Sequence, residues 1–143
     1  MAIKRRGSVT WHGGLKDGRG ALSTESGALK DYPYGFASRF EGQRGSNPEE
    51  LIAAAHAGCF TMALSLILSG ANLTADEMNT SAEVTLDQVD GAWAITAVHL
   101  TLTAKIPGAD QATFEQLAGQ AKANCPVSKL LKANITLDGS LVS

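Results

Sequence analysis

The stretch from Asn47 to Gly70 limits what this chain can fold into more than any other part of it. Asn47 suits a helix N-cap and Pro48 the first helical position. Glu49 and Glu50 put two acids in the first turn, where the helix dipole favours them. Asn47 with Glu50 three residues later resembles a capping box. The residues from Leu51 to Leu68 then continue a helix predicted to end at Ser69-Gly70. That helix is apolar on nearly every face, which predicts a central, buried position. A chain of 143 residues can hardly cover such a helix by itself, and this points to a partner chain. The competing reading is a membrane span. His56, Gly58, Thr61 and Ser65 interrupt a stretch already near the minimum spanning length, so the helix is read as one that does not enter a membrane.

The flanking segments have a different texture. The first 45 residues are polar, short in rhythm and rich in glycine. Ser8 to His12 and Gly20 to Thr24 read as two strands of a hairpin, with turns at Gly13-Gly14 and Asp17-Gly18. Tyr34 to Phe40 reads as a weaker strand and Glu41 to Ser46 as a loop. After the helix, Ala82 to Val89 and Trp93 to Ile106 read as a long hairpin turning at Asp90-Gly91, a strong tight-turn pair. Asp110 to Ala123 is an amphipathic helix with Phe114, Leu117 and Ala118 inward. Asn124-Cys125-Pro126 breaks it, and Val127 to Lys132 forms a short further helix. Ile135 to Leu137 and Leu141-Val142 complete a last strand or strand pair. The expectation is one α+β domain over residues 1–143.

Charge and composition exclude some partners. Net charge is −2, and Lys4-Arg5-Arg6 is the only basic cluster, too short for a nucleic-acid footprint. Basic residues near the N-terminus are followed by no apolar segment of a secretory signal, so a cytoplasmic location is expected. In a reducing compartment the two cysteines are reactive or simply buried more often than they form a permanent disulfide.

Chemistry must come from few residues. His56 and Cys59 are three apart and share a helix face, as half a metal site, a Cys–His pair or a polar pair at a helix interface. Two cysteines and one nearby histidine fall short of a structural zinc site. Cys59 lies among small residues, which suits either a buried inert thiol or a reactive one. Gly58 before it costs about 1 kcal/mol relative to alanine in a helix, which suggests a close neighbour. Cys125 precedes Pro126 at the start of a short helix, where a thiolate is favoured, so local electrostatics nominate Cys125 as the more acidic thiol. Arg39 lies between Phe36 and Phe40 and either turns inward or is solvated. Glu49 is about 80° from Cys59 around the helix and Glu50 about 180°, and both are about 14–15 Å away along the axis. Neither touches Cys59 within one helix. A glutamate could act only by orienting an arginine or by arriving from a second subunit.

Taken together, Asn47-Pro48-Glu49-Glu50-Leu51 through His56-Ala57-Gly58-Cys59-Phe60 resembles the cysteine-helix motif of the OsmC/Ohr family of organic hydroperoxide peroxidases. Asn124-Cys125-Pro126-Val127-Ser128 resembles that family's second-cysteine motif. Ser23 to Gly27, Tyr34-Gly35-Phe36 and Arg39-Phe40-Glu41-Gly42 are similar to its OsmC (osmotically inducible protein C) branch. The resemblance covers essentially the whole chain. It implies an intertwined homodimer of α+β subunits, with antiparallel sheets wrapped around long central helices. It also implies a peroxidatic Cys59, a resolving Cys125, an Arg39 that stabilises the thiolate and a Glu49 that holds Arg39. The Ohr branch draws its arginine from the N-terminal loop, where Leu15 or Lys16 stands here, so Arg39 is the choice. Glu50 is better explained as the capping acid.

The implied reaction is reduction of an organic hydroperoxide through a Cys59 sulfenic acid and a Cys59–Cys125 disulfide. An external thiol, a lipoyl-type dithiol by resemblance, then reduces the disulfide. Neither metal nor haem is required. Two other classes compete: a non-enzymatic stress or binding protein with structural cysteines, and a Cys–His hydrolase using Cys59 with His56 or His99.

Overall fold

The computed structural model describes residues 1–143 and groups them into two compact units, Met1–Leu51 and Ile52–Ser143. In the first, β1 (Gly7–His12), β2 (Arg19–Thr24) and β3 (Tyr32–Tyr34) form an antiparallel sheet in that order. Gly20 stands opposite both Trp11 and Tyr34 in this sheet. A Cβ there would lie 2.3 Å from Tyr34 and 2.8 Å from Trp11, so only glycine lets the two rings meet, edge to face, at 5.6 Å.

The strand expected over Tyr34 to Phe40 is corrected. β3 ends at Tyr34, and a short helix, α1 (Phe36–Phe40), follows. The Ser38 hydroxyl accepts from the Gly35 N–H and donates to the carbonyls of Gly35 and Ser46. This local closure outweighs the aromatic character that suggested a strand. Phe36 and Phe40 are four apart, which stacks them on one helical face with centroids 5.0 Å apart. The Ser46 N–H, on the incoming chain, is tied to the Pro33 carbonyl.

α2 (Pro48–Gly70) begins where predicted. The Asn47 side chain accepts from the Glu50 N–H at 2.8 Å, and Glu50 accepts in turn from the Asn47 amide at 3.0 Å. The box is therefore closed by the Asn47 side chain rather than by its backbone.

In the second unit, β4 (Glu77–Val89) and β5 (Ala92–Lys105) form an antiparallel hairpin. Asp90 (φ 52°) and Gly91 (φ 80°) turn it. β4 starts five residues earlier than predicted. Its first residues, Glu77 to Ser81, are polar except for Met78 and hide a two-residue alternation in which Met78 and Thr80 face inward. α3 (Gln111–Asn124), capped by the Asp110 carboxylate, and α4 (Pro126–Leu130) cross over to β6 (Asn134–Val142). β6 is one strand, parallel to β5, so the sheet is mixed. A Cβ at Gly139 would lie 3.3 Å from Phe114, which explains how glycine interrupts that strand without ending it.

The core of this unit joins Phe60, Leu64 and Leu68 of α2 to Val98, Leu100 and Leu102 of β5 and Phe114, Ala118 and Ala121 of α3. Burying each large side chain contributes about 1.5–3 kcal/mol. By length and composition α2 could cross a membrane. Its His56, Phe60, Leu64 and Leu68 instead form an i, i+4 stripe that is 0–1% exposed within the chain. Within the single chain, full burial of the apolar part of the helix is confined to that stripe. Met62 and Leu66 are 76% and 75% exposed.

Candidate functional site

Cys59 sits at the start of the fourth turn of α2, partly buried. Cys125 ends α3 and caps α4, and it is fully buried. The two are 66 positions apart, yet their thiols come within hydrogen-bonding reach, and both are free. The fold brings them together because the α3–α4 break places Cys125, Val127 and Ser128 against the inward side of α2.

The electrostatics of the pair are asymmetric. Burial pushes the Cys59 thiol above its ordinary pKa. A backbone hydrogen bond from Val127 opposes this, while hydrogen bonding and charge at Cys125 push it further up. Cys125 receives the Ser128 N–H at 3.4 Å, as an N-cap residue does.

His56 does not pair with Cys59. Its Nε2 lies 2.7 Å from the Ser128 hydroxyl, which lies 3.1 Å from the Cys125 sulfur. The Nδ1 is buried and meets no hydrogen-bond partner within the chain. Burial lowers the His56 pKa, so the ring is neutral at pH 7. Sequence reasoning singled out His56 but gave Ser128 no role. The available signal was the Cys-Pro-x-Ser spacing, which sets the serine three residues after a capping cysteine. Gly58 has no close neighbour here: nothing in the chain lies within 4 Å of where its Cβ would be, because it faces outward. His99 bonds Thr136 on the exposed face of the second sheet.

Arg39 and Glu49 belong to the first unit, with Arg39 on α1 and Glu49 in the first turn of α2. Arg39 Nε donates to Glu49 Oε1 at 3.0 Å and Nη2 to Oε2 at 3.1 Å. This is the two-pronged geometry that fixes a guanidinium plane. Glu49 is 8% exposed, and its carboxylate is spanned by this arginine. Glu50, exposed, is engaged with Asn47 instead. The Arg39 guanidinium also lies 5.2 Å from the Phe40 ring. Trp11, Leu15, Tyr34, Phe36, Phe40 and Arg39 line a groove of about 350 Å³ in this unit.

The chain is similar to a group of known proteins. A family model described as OsmC-like protein matches residues 40–139. The chain is 52% identical to Peroxiredoxin OsmC of Escherichia coli (strain K12), over all of both chains. It is 30% identical to the organic hydroperoxide resistance protein OhrB of Bacillus subtilis (strain 168), over 89% of this chain and 90% of that one. The crystal structure of an OsmC like protein from Mycoplasma pneumoniae is 13% identical and shares the fold at a TM-score of 0.76, with both chains fully covered. Between the matched family model and a relative half identical along its whole length, the chain belongs to the OsmC-like protein family.

Proposed function

We propose that this protein is a thiol-dependent peroxidase that reduces organic hydroperoxides to alcohols. The observation that carries the reading is the meeting of two free thiols, the partly buried Cys59 and the buried Cys125. In the proposed cycle the Cys59 thiolate attacks the distal peroxide oxygen. The O–O bond breaks, the alcohol leaves with a proton, and Cys59 becomes a sulfenic acid. Cys125 condenses with it to a disulfide and water. An external dithiol, of lipoyl type, then reduces the disulfide.

Arg39 is the cation proposed to favour the Cys59 thiolate and to bind the peroxide oxygens, with Glu49 as its positioning residue. The names of two relatives, a peroxiredoxin and an organic hydroperoxide resistance protein, support the activity. The aromatic groove beside Arg39 supports a preference for organic peroxides. The apolar outer face of α2, with Met62 and Leu66, supports a homodimer in which the whole chain acts as one peroxidase domain. The chemistry calls for no metal or prosthetic group, and the cytoplasm, where reduced dithiols are available, is the proposed compartment.

Stopped-flow consumption of cumene hydroperoxide by the reduced protein tests the reading. Rapid consumption that is abolished in Cys59→Ser supports it. Consumption that survives that substitution overturns it.

A further inference from the structure

His56 and Ser128 form with Cys125 a continuous chain of polar atoms, and the peroxidase cycle above gives the first two no task. The Nε2 of His56 lies 2.7 Å from the Ser128 hydroxyl, and that hydroxyl lies 3.1 Å from the Cys125 sulfur. The Ser128 N–H donates to the same sulfur at 3.4 Å. His56 and Cys125 are fully buried and Ser128 is 9% exposed, so bulk water has poor access to the resolving thiol. A thiol attacks as its thiolate, and Cys125 must therefore lose a proton where solvent can hardly take it.

We infer that His56 is the proton acceptor for Cys125, reached through the Ser128 hydroxyl, and that this relay drives the condensation that closes the disulfide. The inference rests on the peroxidase reading and deepens it by giving the resolving step its base. Three features of the site support it.

The hydrogen bonds can reverse without moving a heavy atom. With a protonated thiol, Cys125 donates to Ser128 Oγ, and Ser128 donates to His56 Nε2. After transfer, His56 donates to Ser128, and Ser128 donates to the thiolate. The thiolate also keeps the Ser128 N–H as a hydrogen-bond donor. Burial holds His56 neutral near pH 7, so it is in the form that accepts.

The step balances. Cys125 sulfur attacks the sulfenic sulfur of Cys59, the S–S bond forms and the S–O bond breaks. Cys125 sulfur is oxidised and the sulfenic sulfur reduced. The oxygen leaves as water, taking the one proton that His56 received from Cys125. Neither His56 nor Ser128 is changed over the step, and no further oxidant is needed. His56 touches no atom of the peroxide in this scheme. Its place is in the second half of the cycle.

Rapid mixing of the reduced protein with one equivalent of cumene hydroperoxide separates the two halves. Acid quench and mass spectrometry follow sulfenic acid formation, then its loss to the disulfide. The wild-type protein is expected to show both phases, with the second slower in D2O. Ser128→Ala removes the relay hydroxyl. His56→Gln keeps an amide that can bond Ser128 but cannot take the proton. Both are expected to slow the second phase relative to the first by on the order of 100-fold, the size of a lost general base. Both should also lose the D2O effect, which packing damage would not remove. Second phases at the wild-type rate in both variants overturn the relay, as do slowed phases that keep the full D2O effect. Where Ser128→Ala does not fold, His56→Gln decides alone. A wild-type protein with no first phase refutes the peroxidase reading itself, a different failure from an unaltered second phase.

Discussion

Arg39 and Glu49, ten residues apart, are joined by two near-parallel hydrogen bonds of 3.0 and 3.1 Å that tie α1 to the first turn of α2. Such a fork fixes the plane of the guanidinium as well as its position, which a single contact would not. Glu49 is buried while Arg39 keeps about a third of its side chain exposed, so the arginine is held from behind and open in front. That is the posture of a group that meets something else.

Glu49→Gln should leave Arg39 charged but free to rotate. Hydrogen bonds to charged groups are worth about 1.5–3 kcal/mol, and partial exposure argues for the lower end. A fall of about tenfold in kcat/KM for cumene hydroperoxide is expected, at 1.36 kcal/mol per decade. Glu50→Gln, whose side chain serves the cap, should lower thermal stability slightly and leave kcat/KM near wild type. Steady-state kinetics on the two variants separate the two acids. Equal kinetic losses would remove the positioning role of Glu49.

The same arginine should set the pH dependence of the first half-reaction. Burial and Cys125 raise the Cys59 pKa, so the thiolate is scarce at neutral pH without a cation. In Arg39→Gln the rate of sulfenic acid formation should therefore climb at higher pH than in the wild-type protein, with the midpoint displaced upward. Single-turnover oxidation measured across the alkaline range reads this directly. A midpoint unmoved by the substitution would show that another group ionises Cys59.

Sequence alone carried α2, the turn at Asp90-Gly91 and α3, because each rests on a strong local signal: a cap and proline, a left-handed pair, an amphipathic period. It misread α1, where the decisive bonds run from Ser38 to Gly35 and Ser46 and are invisible to a count of aromatic residues. It cut β4 short because the polar residues Glu77 to Ser81 do not look like a strand until β5 is there to pair with them. The site divides in the same way. Cys59, Cys125, Arg39 and Glu49 were nominated by motif, and helix geometry chose Glu49 over Glu50. The tie between His56 and Ser128 spans 72 positions and exists only because α4 folds against α2. No local pattern could have announced it.

Gly20 offers a test of the first unit that is independent of chemistry. An added Cβ would sit 2.3 Å from the Tyr34 ring and 2.8 Å from Trp11. Gly20→Ala must push one ring aside, at a cost of about 1–3 kcal/mol. Because both rings line the groove beside Arg39, KM for a bulky aromatic hydroperoxide should rise more than KM for a small one. Chemical denaturation and the two KM values measure the effects. Unchanged stability would mean that the sheet opens to admit the methyl group.

Acid stability should report on His56. Its pKa is lowered in the folded chain by burial, so the unfolded chain binds a proton at a pH where the folded chain does not. By linkage the histidine's contribution to stability is present above the unfolded value near 6.5 and is lost as pH falls through the lower folded value. The groups around it do not reverse the sign: Ser128 is neutral, and the Cys59 thiol is pushed up, away from the acid range. The midpoint of urea unfolding should thus fall as pH drops below about 6.5. In His56→Gln, which has no proton to gain, the curve should be flatter over the same range. If the two curves run parallel from pH 7 down to pH 5, His56 is not held neutral by the fold. The case for His56 as the base for Cys125 would then rest on the geometry of the relay alone.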